Sequence, residues 1–176
     1  MSDVNMLFAA LAYISIGLPI FPVHCPLVGG GCSCRDISCE SIGKHPATRH
    51  GFKDATTNRT SIEEWWTRWP SANIGMPTGS TSGVIVLDTD FRSGGRESLE
   101  ALEKKIGVLP PTLVSITGNG LHYFFKCSGL QFKSGAGVLG PGLDIRAEGG
   151  FVVVPPSLHK SGKRYQWKRG EMDGGR

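Results

Sequence analysis

Hydrophobic and polar positions along the chain fall into several distinct rhythms. Val4, Leu7, Leu11 and Ile14 recur at helical spacing with Gly17 as a C-cap, and the following "LPIFPV" reads as a short strand. The stretch from Met6 to Val23 carries no charge, but Gly17, Pro19 and Pro22 interrupt it. It therefore predicts a buried amphipathic helix and a strand, not a membrane span or signal peptide. "TSIE" has the form of a capping box, with Thr60 at N-cap and Glu63 at N3. Ile62, Trp65, Trp66 and Trp69 then follow at helical spacing up to Pro70, a stripe that predicts core and not a base-stacking surface. "ANIGMPTG" gives a short strand and a turn, and Val84 to Leu87 form an unbroken apolar run, the mark of a buried strand. Leu99, Leu102 and Ile106 line one face of a helix that Gly107 closes. In "TLVSITGNGLHYFF" two apolar runs flank Gly118-Asn119-Gly120, a strong hairpin signal. "GLDIRAEGGFVVV" predicts a second hairpin turning at Glu148-Gly149-Gly150, and "LHKSGKRYQW" a third around Ser161-Gly162. The order predicts an α+β fold whose antiparallel sheet is covered on one side.

Composition narrows this picture only slightly. A chain of 176 residues with 39% hydrophobic and 19% charged content suits one soluble domain with a real core. Its 25 glycines cluster in turns without a period. A net charge of +4 permits a polyanionic partner without demanding one. Four of the five cysteines, Cys25, Cys32, Cys34 and Cys39, fall in one glycine-rich segment, with His45 close behind. Such clustering suits either a structural zinc knuckle or a set of reduced surface thiols, since the spacing is not a paired C-x-x-C. Cys127 stands alone after an apolar strand and reads as core.

The chemistry concentrates where the apolar strand ends. Asp88 and Asp90 are two apart, so both carboxylates point to one face of a strand, where they repel unless something positive lies between them. His122 opens the second strand of the first hairpin, and Asp144 and Arg146 share a face of a later strand. If these strands are neighbours, three carboxylates, a histidine and an arginine converge. That set fits two-metal phosphoryl or nucleotidyl transfer, in which hard carboxylates hold divalent cations and positive side chains surround the phosphates.

The order D-x-D, glycine turn with His, then D-x-R resembles the archaeo-eukaryotic primase superfamily, and more closely the bifunctional primase/polymerase (prim–pol) domain of phage, plasmid and prophage replication proteins. "GKHP", "GFKDATTN", "WW", "ANIGMPTG", "GVIVLDTD", "TGNGLHYFF", "GLDIRAEGGFVVVPPS" and "HKSGKRYQW" all share that likeness, which spans roughly Phe8 to Trp167. The resemblance implies a catalytic core with an antiparallel, RRM-like sheet flanked by helices, and a small cysteine-rich loop at residues 24–46. It implies that Asp88, Asp90 and Asp144 hold Mg2+ or Mn2+ in a two-metal site and that His122 contacts the nucleotide phosphates. Arg146 would brace the triphosphate, and Lys44, Ser157 and His159 would stand at the rim of the nucleotide pocket. Relatives often carry a cysteine cluster before "GKHP", which favours structural Zn2+ held by four of Cys25, Cys32, Cys34, Cys39 and His45.

The implied activity is template-directed nucleotidyl transfer, as DNA primase or DNA polymerase. Its partners would be single-stranded or primed DNA, nucleoside triphosphates and a replicative helicase in cis or trans, with no membrane. Its location would be the cytoplasm of a bacterium, an archaeon or a phage-infected host. Lys126, Lys133, Lys160, Lys163, Arg164 and Lys168 are candidates for the template surface. Residues 1–170 are expected to form a single catalytic domain, with 171–176 a flexible tail or the stub of a linker, so the domain is either a fragment of a longer helicase fusion or a stand-alone product. The hairpin "TGNGLH" is one residue shorter than the family's usual G-G-x-H ending, which bears on the reach of His122. That shortening sustains one rival, a catalytically weak or inactive zinc-containing module that binds single-stranded nucleic acid. A metal-dependent nuclease or a rolling-circle nickase is a weaker rival; such nickases want a His-x-His pair, which the chain lacks.

Overall fold

The computed structural model describes residues 4–127 and 133–168. The predicted tail at 171–176 lies outside the described residues. Three α-helices are described, α1 (Met6–Ser15), α2 (Arg59–Arg68) and α3 (Gly95–Ile106), so the chain is a mixed α/β protein with antiparallel sheets. The strands are β1 (Phe21–Val23), β2 (Asn73–Pro77), β3 (Val84–Asp90), β4 (Leu113–Ile116), β5 (Gly120–Lys126), β6 (Leu143–Arg146), β7 (Phe151–Val154) and β8 (Gln166–Trp167). They form two antiparallel sheets, one of three strands ordered β1-β2-β7 and one of five ordered β6-β3-β5-β4-β8. None of the described helices is long and apolar enough to cross a membrane.

Helix ends follow local hydrogen-bond chemistry, and one differs from expectation. In α1 the Asn5 side chain accepts from Phe8 N at 3.0 Å, and the most buried stripe is Met6, Ala10 and Tyr13, with Leu7, Leu11 and Ile14 half-buried and Val4 exposed. In α2 the cap is Asn58, whose Oδ1 accepts from Ser61 N at 3.0 Å, so the helix begins before Thr60 and no capping box forms. Such a cap contributes about 1 kcal/mol. Glu63 instead accepts from Arg59 Nε at 2.7 Å, one turn back along the helix. The tryptophan stripe is core as expected, with Ile62 and Trp66 buried and Trp65 and Trp69 packed at the edge. α3 ends at Gly107 as expected, but Ile106 is exposed.

The first hairpin forms as expected, with β4 and β5 paired in register Ser115↔His122. The second does not. After β6 the carbonyl of Ala147 accepts from Thr78 Oγ1 at 2.6 Å and Glu148 Oε2 accepts from Ser80 N at 2.8 Å. These bonds carry the chain across to the other sheet, where β7 pairs with β2. The third predicted hairpin is a turn, closed by His159 N donating to Lys163 O and bridged at Leu158↔Arg164, while β8 pairs with β4.

The five-stranded sheet is covered on both faces, not one. Leu87 and Leu143 are buried on the face that α3 covers. On the opposite face Val86 and Phe124 join Met6, Ala10, Ile62, Trp66 and Ile74 in one cluster. This face is apolar only up to Val86. From Asp88 onward it turns polar, and a cavity opens there. Cys127, just beyond β5, is half-buried, so it is not a core residue.

Candidate active site and metal cluster

Strand pairing sets the site. Asp88 lies opposite His122 on β5 and opposite Asp144 on β6, so Asp144, Asp88 and His122 stand in one cross-strand row. Residues directly opposite one another share a face of the sheet. Asp90 and Arg146 extend the same face along their strands, by the alternation of side chains. The structure thus brings together all five residues that the sequence singled out.

The carboxylates are neutralised by neighbouring side chains. Arg146 Nη2 reaches Asp144 Oδ2 at 2.8 Å and Asp88 Oδ2 at 3.6 Å, so one guanidinium spans two acids on adjacent strands. His122 Nε2 lies 3.4 Å from Asp88 Oδ1. Burial alone would raise the Asp88 carboxyl, but the His122 hydrogen bond and the charges of His122, Arg146 and Lys44 outweigh it and hold the group below its ordinary value. Asp144 Oδ1 also accepts from Gly137 N at 2.9 Å. Asp90 caps the short turn at Phe91–Ser93 by accepting from Arg92 N at 2.9 Å.

A cavity of about 230 Å3 over this row is lined by Lys44, Asp88, Asp90, His122, Asp144, Arg146 and His159 among others. A second, of about 420 Å3, shares Lys44, Asp88, His122, Arg146 and Tyr165 with the first and runs out along Phe52, Gly149, Gly150 and Phe151. His159 sits against Gly118, where an added Cβ would collide with its ring, so glycine in the hairpin turn makes room for this imidazole. Ser161 N donates to His159 Nδ1 at 3.1 Å, which leaves Nε2 as the donor of the neutral ring. Burial, then the positive charges of Lys44, Lys160 and Arg92, push His159 below its ordinary value. Tyr165, a shared wall of both cavities, is held protonated by burial and by the Asp88 charge. An aromatic in a strand looks like core in sequence, so nothing there sets Tyr165 apart.

Ser157 departs from expectation. It is fully buried, its Oγ accepts from Ile74 N at 2.9 Å, and it lines neither cavity. Its place behind the pocket follows from the turn after β7, which points its hydroxyl into the three-stranded sheet. The shortened hairpin turn, closed by Thr117 N donating to Gly120 O at 2.9 Å, still delivers His122 opposite Asp88.

A second cluster lies in the 24–46 loop. Cys32, Cys34, Cys39 and His45 bring their ligand atoms within 4.8 Å of one another, the one such group among the described residues. His45 Nε2 lies 3.3 Å from Cys32 Sγ and 3.5 Å from Cys39 Sγ. Three soft sulfurs and one imidazole suit tetrahedral zinc, so the donor set fits. Cys25 is buried outside this group, its backbone N donating to Ser33 Oγ at 3.0 Å. Burial tends to raise the Cys32 thiol, but backbone bonds from Cys34 and Gly43 and the His45 contact lower it overall. The three aspartates, by contrast, are not gathered so closely. Arg146 stands between two of them, and their hard oxygens around one polar cavity suit magnesium or manganese by chemistry and not by prearranged geometry.

One antiparallel sheet thus presents a D-x-D pair, a facing histidine and a D-x-R pair to one polar cavity. The profile of the family described as bifunctional DNA primase/polymerase, N-terminal, matches residues 10–174, and the chain belongs to that family. A comparison with curated proteins returns no match. Membership implies DNA and nucleotides as substrates.

Proposed function

We propose that the chain is a template-directed DNA primase/polymerase of phage, plasmid or prophage replication, built as one catalytic domain and working with a replicative helicase. The observation that carries this reading is the row Asp144, Asp88 and His122 across three adjacent strands, with Lys44, Arg146 and His159 around the same cavity. Asp88, Asp90 and Asp144 would hold two divalent cations, which supply Lewis-acid activation of the attacking hydroxyl and charge neutralisation at the phosphates. The 3′-oxygen of a primer or initiating nucleotide attacks the α-phosphorus of the incoming nucleotide, forming a P–O bond as the α–β bridging bond breaks. Pyrophosphate leaves, and the hydroxyl proton is lost to solvent.

The protein's own groups bind and orient. Lys44 and the Nε2–H of His159 meet triphosphate oxygens, and His122 steadies the phosphates next to Asp88. Arg146, which neutralises Asp88 and Asp144 here, turns to phosphate once those acids are otherwise neutralised. The small polar cavity suits the triphosphate. The larger one, walled by Phe52 and Phe151, suits the sugar and base, and such a size is ordinary for a ligand pocket. Zinc in the 24–46 cluster would have a structural role.

The test is nucleotide addition on a primed single-stranded template with magnesium or manganese. Pyrophosphate release and product lengthening that depend on template and metal support the reading. Binding of single-stranded DNA without any addition supports the inactive module.

The template path gives a separate prediction. Lys126, Lys133, Lys160, Lys163, Arg164 and Lys168 are all exposed. Lys163 and Lys168 border a groove with Phe91 that shares Arg92, Thr117 and Asn119 with the polar cavity. A strand leaving the site along this groove would have cations and a ring to follow. Lys163→Ala/Lys168→Ala is expected to weaken single-stranded DNA binding and to reduce the slope of log affinity against log salt by about 2, roughly one for each phosphate that is no longer neutralised. Fluorescence anisotropy across a salt series measures both; an unchanged slope would place the strand elsewhere.

A further inference from the structure

Asn73 opens β2 in the smaller sheet, behind the site, and is buried. A buried amide is costly unless every polar atom is satisfied. Here the side chain spends its bonds on two distant loops. Nδ2 donates to Gly43 O at 3.1 Å and to Leu158 O at 2.8 Å, while Oδ1 accepts from Leu158 N at 2.7 Å. Gly43 and Leu158 immediately precede Lys44 and His159, the two groups that these loops bring to the polar cavity. Gly43 is also closely packed, since an added Cβ would lie 2.9 Å from Pro26 Cδ and 3.5 Å from Asn73 Nδ2. The loop is thus held at Gly43 by Asn73 and at His45 by the cysteine cluster, with Lys44 between them.

Resting on the reading of this cavity as a nucleotide site, we infer that Asn73 is a positioning residue for nucleoside triphosphate binding. It fixes the Lys44 loop and the His159 loop in one frame, so that an ammonium and an imidazole N–H are presented to the same phosphates. Residues of one network couple, whereas independent sites add. Loss of Asn73 therefore acts through Lys44 and His159, and little of its effect survives once they are gone.

Calorimetric titration of the whole chain with a nucleoside triphosphate and magnesium tests this through binding alone, without relying on catalysis. Asn73→Ala and Lys44→Ala are each expected to weaken Kd by about tenfold, the scale of one charge-assisted hydrogen bond. Asn73→Ala in a Lys44→Ala/His159→Ala background is expected to add less than about twofold. Tyr13→Phe, which removes an equally buried side-chain bond to Pro155 O at 2.6 Å away from the site, is expected to lower Tm without moving Kd. Should Asn73→Ala not fold, Asn73→Ser keeps one donor and one acceptor and carries the same comparison. Wild-type affinity in the Asn73 variant, a full tenfold loss in the Lys44→Ala/His159→Ala background, or an equal loss in Tyr13→Phe overturns the inference while leaving the nucleotide site intact. A wild-type chain that binds no triphosphate contradicts the nucleotide reading itself and overturns the inference with it.

Discussion

Asp88→Asn is expected to lower template-directed nucleotide addition by about 10³-fold or more, with the chain still folded. Losing one preorganised electrostatic group from an active site costs on the order of 10²–10³, and Asp88 is more than one group among equals. It is the middle of the cross-strand row, faces both Asp144 and His122, and lies within 3.6 Å of Arg146. The Asn side chain keeps the shape and leaves the strand register intact, so circular dichroism and Tm should change little. What it removes is the charge proposed to hold a cation, which in this structure faces Arg146 and His122. Steady-state extension with saturating template reads the effect in kcat. Near-wild-type turnover in a folded Asp88→Asn chain would mean that the row is structural.

Removal of zinc from the 24–46 loop is expected to have the second largest effect, this time on stability. The chain as purified should contain one zinc, held by Cys32, Cys34, Cys39 and His45. Structural zinc sites bind with about 10–16 kcal/mol, and that energy is coupled to folding. Retaining even about 3 kcal/mol of it as stability corresponds to roughly 10 °C in Tm for a chain of this size. Cys32→Ser should abolish zinc, measured by metal analysis, and lower Tm by at least that amount. Cys25→Ser should keep full zinc, because Cys25 lies outside the group. Equal zinc content in both variants would contradict the ligand assignment.

Much of the site was legible in sequence because its parts are local. Asp88 and Asp90 end an apolar strand, and a period of two places both on one face whatever the strand pairs with. The Asn-Gly turn at Asn119 and Gly120 brings β4 and β5 together, and pairing with β3 then sets His122 opposite Asp88. What escaped the sequence depends on contacts far apart in the chain. The Glu148–Gly150 turn looks like a hairpin, but bonds from Thr78 and Ser80 redirect it to another sheet. Helix α2 is capped by Asn58, two residues before the Thr60 signal, because the Asn58 side chain accepts from Ser61 N. Cysteine spacing identified a cluster without separating Cys25 from its neighbours, since a loop can fold any four of five donors inward. Asn73 in "ANIGMPTG" reads as an ordinary strand residue until Gly43 and Leu158 are seen beside it.

The central claim is that the polar cavity transfers nucleotides with the help of divalent cations held by its aspartates. The most direct measurement is extension of a labelled primer on a single-stranded template, with magnesium, with manganese and with neither, comparing the wild-type chain with Asp88→Ala/Asp90→Ala. The account predicts metal-dependent, template-directed products from the wild type and none from the double variant. No extension under either metal by a folded, zinc-replete wild-type chain that still binds the template, or equal extension by both proteins, would contradict it.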